Sequence, residues 1–201
     1  MIVLNMAEPR QRLSRRNSDH PSMLERGIYL LPKLLTSAAL FAGFYAIVQA
    51  MNGRYEQSAI AIFIAMVMDG LDGRVARMTN TQSAFGAEYD SLSDMVSFGV
   101  APALIMYVWA LKPMGKLGWI AAFIYCACAA LRLARFNTKL DDPHQDKRFF
   151  QGLPSPAAAA LLAGFVWVSY EYNVDGREIF FGALQMKWIA WFITVFAAGS
   201  M

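Results

Sequence analysis

The chain has 201 residues, of which 57% are hydrophobic and only 16% charged, with a formal net charge of +3 and a mean hydropathy of +0.34. An ordinary soluble domain carries about 25% charged residues, and one of this size cannot hide so much apolar surface while part of its chain faces water. Its wealth of aromatic and branched side chains also excludes intrinsic disorder, so the composition is that of an integral membrane protein.

Residues 1–25 are polar and rich in arginine, with no apolar core of their own, which excludes a signal peptide and reads as a solvated tail. Uncharged runs follow from Leu34 to Gly53, Met95 to Leu111, Leu117 to Leu131, Phe149 to Tyr170 and Trp188 to Met201. About 20 residues are needed to cross the hydrocarbon core. The run from Gln57 to Met68 is too short alone and completes a span only by continuing through Asp69, Asp72 and Arg77. Six helices are therefore expected, near 30–52, 56–78, 85–111, 117–136, 150–170 and 179–200. The expected fold is an all-α bundle forming one domain over 26–201. The last span ends where the sequence does, with no polar tail, as expected of a truncated C-terminus. Cys126 and Cys128 lie inside an apolar run and read as small helix residues rather than a disulfide or zinc motif.

Basic residues orient the bundle. With the N-terminus inside, the outer loops hold Arg54, Lys112, Lys116 and Arg177, Lys187 falls in the last span, and the other 13 of the 18 lysines and arginines lie on the inner side. The N-terminus is expected in the cytoplasm. The basic tail has two readings, a solvated segment or one lying on anionic headgroups; no nucleic-acid partner is expected.

Residues 69–94 read DGLDGRVARMTNTQSAFGAEYDSLSD. Counted from Asp69, Asp72, Gly73, Ala76 and Arg77 fall at positions that share one helix face. Gly86, Asp90 and Asp94 recur every four residues on the next helix. Two helices thus turn four carboxylates toward a common space. Such a group at membrane depth needs a neutralising partner. Hard divalent cations supply one, and Mg²⁺ typically joins carboxylates to substrate phosphates. Gly73, Ala76 and Gly86 keep the face free of bulk, and Arg77 offers a fork of donors to a phosphate. Two readings stay open on spacing alone: phosphoryl-group chemistry, or a proton or cation path in a transporter.

The segment fits D-x-x-D-G-x-x-A-R-x8-G-x3-D-x3-D at every fixed position, and in this it resembles the CDP-alcohol phosphotransferases. The resemblance implies a six-helix membrane enzyme, a homodimer, with a polar active site open to the cytoplasm. It implies two Mg²⁺ or Mn²⁺ ions held by Asp69, Asp72, Asp90 and Asp94, the last serving also as general base. It implies contacts of Gly73, Arg77 and Ser83 with the CDP moiety, with Ala76 and Gly86 on the same substrate face. LPKLLT at 31–36, LRLARFN at 131–137 and FQGLPSPA at 150–157 are similar to the bacterial phosphatidylserine synthase branch, which implies CDP-diacylglycerol and L-serine as substrates. Arg132 and Arg135 either clamp the serine carboxylate or anchor the helix end at the headgroups. Ser155 either caps its helix or contacts ligand. Asp141, Asp142 and Asp146, mixed with Lys139, Lys147 and Arg148, read as a solvated connector, and His20 and His144 have no expected role.

Overall fold

The computed structural model describes residues 23–79, 83–140, 152–171, 180–181 and 184–201. The tail over residues 1–22, His20, and the connector holding Asp141, Asp142, His144, Asp146, Lys147 and Arg148 lie outside the described residues. Six helical rods carry most of the rest: α1 (Met23–Met51), α2 (Tyr55–Met78), α3 (Ala84–Met114), α4 (Lys116–Leu140), α5 (Ser155–Glu171) and α6 (Met186–Ser200). Contacts between the rods make sequential neighbours antiparallel: Tyr55 at the start of α2 packs on Tyr170 at the end of α5, Trp191 early in α6 bonds Leu117 early in α4, and Leu153 just before α5 bonds Ser200 at the end of α6. The start of α1, the end of α2, the start of α3, the end of α4, the start of α5 and the end of α6 therefore share one end of the bundle.

Small residues let the rods approach. Along α1, Ala39, Ala42, Ala46 and Ala50 are buried in a stripe at helical spacing, and they meet Ser58, Ala59, Ala61, Ile62 and Ala65 of α2. Hydrophobic force between helices is weak in lipid, so close backbone approach and interhelical hydrogen bonds replace it. The Ser58 hydroxyl accordingly donates to the Ala46 carbonyl at 2.6 Å. At the other end of the bundle Tyr55, Phe63 and Trp109 pack on Tyr170, Trp167 and Phe165 of α5, with ring centroids 5.6–6.4 Å apart.

The rod α3 is not a uniform α-helix. It is α-helical over Ala84–Asp94 and Ala101–Met106, π-helical over Met95–Val100 and Tyr107–Leu111, and closes in a 3-10 turn over Lys112–Met114. Wider π turns re-aim the backbone carbonyls, and the Phe98 carbonyl accepts the buried Tyr125 hydroxyl of α4 at 3.1 Å. The first π segment begins at the residue after Asp94. A single residue, Gly115, turns α3 into α4 with φ of +58°, a conformation that a side chain would strain. Beyond it Gly118 lies so close to Leu111 that an added Cβ would collide with the Leu111 carbonyl oxygen.

The sixth helix is shorter than the expected span over 179–200. It begins at Met186, because Phe180–Phe181 and Leu184–Gln185 pair as two-residue antiparallel strands in the register Phe180 to Gln185. The Trp191 indole ties α6 to the Leu117 carbonyl of α4 at 3.2 Å. In the fifth, Pro154 precedes the helix and Pro156 lies in its first turn, where a missing N–H costs nothing.

Leu30–Met51, Ala84–Met114 and Lys116–Thr138 are long and apolar enough to cross a membrane. Large apolar side chains cover their outer faces, including Phe41 at 68% and Phe123 at 62% exposure, with Phe196 of α6 at 71%. So much contiguous apolar surface is costly in water and favourable against acyl chains. The chain is an all-α integral membrane protein.

Candidate active site

The end of α2 and the beginning of α3 meet beside the start of α1. Asp69 and Asp72 lie three residues apart on α2, and Asp90 and Asp94 four apart on α3, so each pair projects from one face. The two faces oppose one another. One carboxylate oxygen from each of Asp69, Asp72 and Asp90 lies within 4.8 Å of the others, and the Asp94 carboxylate comes within hydrogen-bonding reach of that of Asp69. All four sequence-derived aspartates thus come together.

Their surroundings are chemically lopsided. Asp72 is buried and accepts the Thr36 hydroxyl on Oδ2 at 2.6 Å. Asp90 Oδ1 is buried with no hydrogen-bond partner. A buried carboxylate oxygen without a donor is costly, and three such groups within one ligand-sphere width repel one another. A hard divalent cation with oxygen ligands resolves both problems. The donor set, all oxygen and anionic, fits Mg²⁺ or Mn²⁺ rather than a metal that selects thiolate or imidazole.

Other expected residues lie on the same two helices. Arg77 folds back over Gly73, where a built Cβ would stand 3.9 Å from both terminal guanidinium nitrogens. The half-buried Ala76 lies on the same helix stretch, leaving a shallow face beside the carboxylates. Ser83 acts locally as the N-cap of α3, its hydroxyl accepting the Gly86 amide at 3.0 Å. The connection before it, residues 80–82, lies outside the described residues.

Helix α4 supplies the basic wall. The Asn137 amide donates to Ser91 Oγ at 3.0 Å, and Ala129 packs near Gly99, so antiparallel register sets Arg132 level with the Asp94 turn. Arg132 is half-buried, and its Nε has no hydrogen-bond partner; Arg135 is exposed. Ser155 is buried at the start of α5, and the preceding turn is held by a 2.7 Å bond from the Leu153 amide to the Ser200 carbonyl of α6.

Several contributors on α1 carry no signal in the aspartate motif. Thr36 reaches Asp72, Ser37 and Tyr89 pair through their hydroxyls at 2.9 Å, and the Lys33 ammonium sits 5.0 Å from the centroid of the Phe85 ring. Their trace in the sequence is the LPKLLT stretch and the serine after it, a polar spacing on a helix otherwise written for lipid.

Comparison with known proteins places these residues in context. Residues 29–198 match the family described as CDP-alcohol phosphatidyltransferase. A relative from Helicobacter pylori strain J99, named CDP-diacylglycerol–serine O-phosphatidyltransferase, is 40% identical over 164 residues, covering 79% of this chain and 68% of its own. Proteins of the same name from Mycobacterium tuberculosis strain H37Rv and from Saccharomyces cerevisiae are 41% and 35% identical, covering 74% and 75% of this chain. The chain spans only 53% and 58% of those two relatives.

Proposed function

The chain belongs to the CDP-alcohol phosphatidyltransferase family, and on that premise we propose that it transfers a phosphatidyl group from CDP-diacylglycerol to L-serine. The products are phosphatidylserine and CMP. The observation that carries the reading is the cluster of Asp69, Asp72 and Asp90, with oxygens within 4.8 Å and Asp94 close beside Asp69 at its edge. The names of the relatives support serine as acceptor.

Asp69, Asp72, Asp90 and Asp94 would hold two Mg²⁺ or Mn²⁺ ions. When bound, such ions offset the negative charge of the pyrophosphate and of the leaving phosphate. Asp94 takes the proton of the serine hydroxyl. The hydroxyl oxygen bonds to the phosphorus that bears diacylglycerol, and the bond from that phosphorus to the CMP oxygen breaks. Arg77, folded over Gly73, offers its guanidinium to the departing CMP phosphate. Ser83 and Gly86 shape the mouth where the nucleotide lies along α3, and Gly73 and Ala76 let it approach the backbone. Arg132, with its unpartnered Nε, and Arg135 receive the serine carboxylate. The acyl chains remain in lipid between the helices.

All six helices cross the bilayer in this reading, and the enzyme works as a homodimer in the cytoplasmic membrane. The basic residues gathered at the carboxylate end support a cytoplasmic active site. The test is acceptor choice. Membranes containing the protein receive CDP-diacylglycerol with labelled L-serine, glycerol 3-phosphate or inositol phosphate. Label is expected in lipid from serine alone; preferential labelling from a phosphorylated acceptor overturns the assignment.

A further inference from the structure

We propose that Thr36 is a positioning residue for the carboxylate cluster, fixing Asp72 on α2 and the distance from it to the α3 aspartates. The inference rests on the reading of that cluster as a divalent-cation site and adds a member that the aspartate motif does not contain.

Thr36 is 6% exposed and has two acceptors within reach of its single hydroxyl proton. The Pro32 carbonyl lies at 3.1 Å and Asp72 Oδ2 at 2.6 Å. A threonine bonded only to the carbonyl four residues back would be ordinary helix packing. The shorter contact falls in the range of about 2.5–2.7 Å typical of a hydroxyl donating to a carboxylate. The terminal torsion of an aspartate is otherwise broad, so this bond selects one orientation and turns the remaining lone pairs of Asp72 toward Asp69 and Asp90.

The main chain of the same residue faces the other way. The Thr36 carbonyl accepts the Ser93 hydroxyl at 3.2 Å, and Ser93 lies between Asp90 and Asp94 in sequence, next to the latter. One residue of α1 therefore grips both carboxylate-bearing helices, α2 through its side chain and α3 through its backbone. One turn further along, the Ser97 hydroxyl donates to the Ala39 carbonyl at 3.1 Å. That bond holds α1 and α3 together without touching a carboxylate, and it provides the comparison the test needs.

Partners that orient metal ligands typically cost about 10–100-fold in metal affinity when removed. The full chain in lipid nanodiscs is titrated with Mn²⁺ alone, and free Mn²⁺ is read by electron paramagnetic resonance, with thermal stability recorded for every variant. Thr36→Val is expected to raise the Mn²⁺ Kd at least tenfold, and Thr36→Ser, which keeps the hydroxyl and loses the methyl, to stay within threefold. Ser97→Ala is expected to leave the Kd unchanged. The proposal is overturned if Thr36→Val binds as wild type does, if Ser97→Ala weakens binding as much, or if a folded Thr36→Ser loses affinity as Val does. The serine variant decides the matter even where the valine variant does not fold. A wild-type protein that binds no Mn²⁺ overturns the cation-site reading itself, and with it the role given to Thr36.

Discussion

Gly43 sets how closely α1 can approach α3, and replacing it with alanine tests the packing of those two helices. A Cβ at this position would stand 2.5 Å from Ser97 Oγ, 2.7 Å from its Cα and 2.9 Å from its Cβ. Rotating the serine side chain relieves the first clash but not the second. The distance to the Ser97 main chain is about 0.7 Å short of the 3.4 Å at which ordinary van der Waals packing begins, so one backbone must move by that order. Overpacking of this kind costs about 1–3 kcal/mol. For a chain of this length each kcal/mol moves Tm by roughly 2–4 °C, so Gly43→Ala is expected to melt several degrees below wild type in nanodiscs. Gly70→Ala is the control, because nothing lies within 4 Å of a Cβ there. Its Tm is expected to equal or slightly exceed that of wild type, since alanine suits a helix better than glycine by up to about 1 kcal/mol. The close approach of α1 and α3 is refuted if the two variants melt together.

Two further substitutions address chemistry. Asp94→Asn keeps a side chain able to hydrogen-bond Asp69 and removes the basic carboxylate, so kcat is expected to fall by about 10²–10⁴ with Tm unchanged; near-normal turnover contradicts the assignment of the base. Gly73→Ala finds its nearest neighbours at 3.9 Å, so stability is expected to hold while the KM for CDP-diacylglycerol rises, and an unchanged KM means that the nucleotide does not approach the α2 backbone there.

The aspartates were legible because their information is local. Spacings of three and four residues fix a shared helix face without any tertiary knowledge, and scarce charge in an apolar chain marks the helix that carries it. Helix positions were legible for the same reason, since charge-free runs mark the long apolar rods. The start of α6 was not, because Phe180 to Gln185 is apolar enough to extend a helix and hydropathy alone does not distinguish the antiparallel pairing found there. The π segments of α3 were also silent: Met95–Val100 reads as an ordinary apolar helix, and its wider turn is stabilised by Tyr125 from a different rod. Thr36 illustrates the wider limit. Its partner lies 36 residues away, and nothing about a threonine beside a serine in an apolar run distinguishes a carboxylate ligand from a helix-packing hydroxyl.

In the proposed function the four aspartates hold divalent ions for phosphatidyl transfer to serine. The most direct measurement follows CMP release and phosphatidylserine formation together, using purified protein in nanodiscs with CDP-diacylglycerol, with and without L-serine, and before and after EDTA. One CMP is expected for each phosphatidylserine formed, with no steady release without serine, complete loss in EDTA and recovery on adding Mg²⁺ or Mn²⁺. Turnover that survives removal of every divalent ion, or cation flux through the protein with no CMP released, would contradict it.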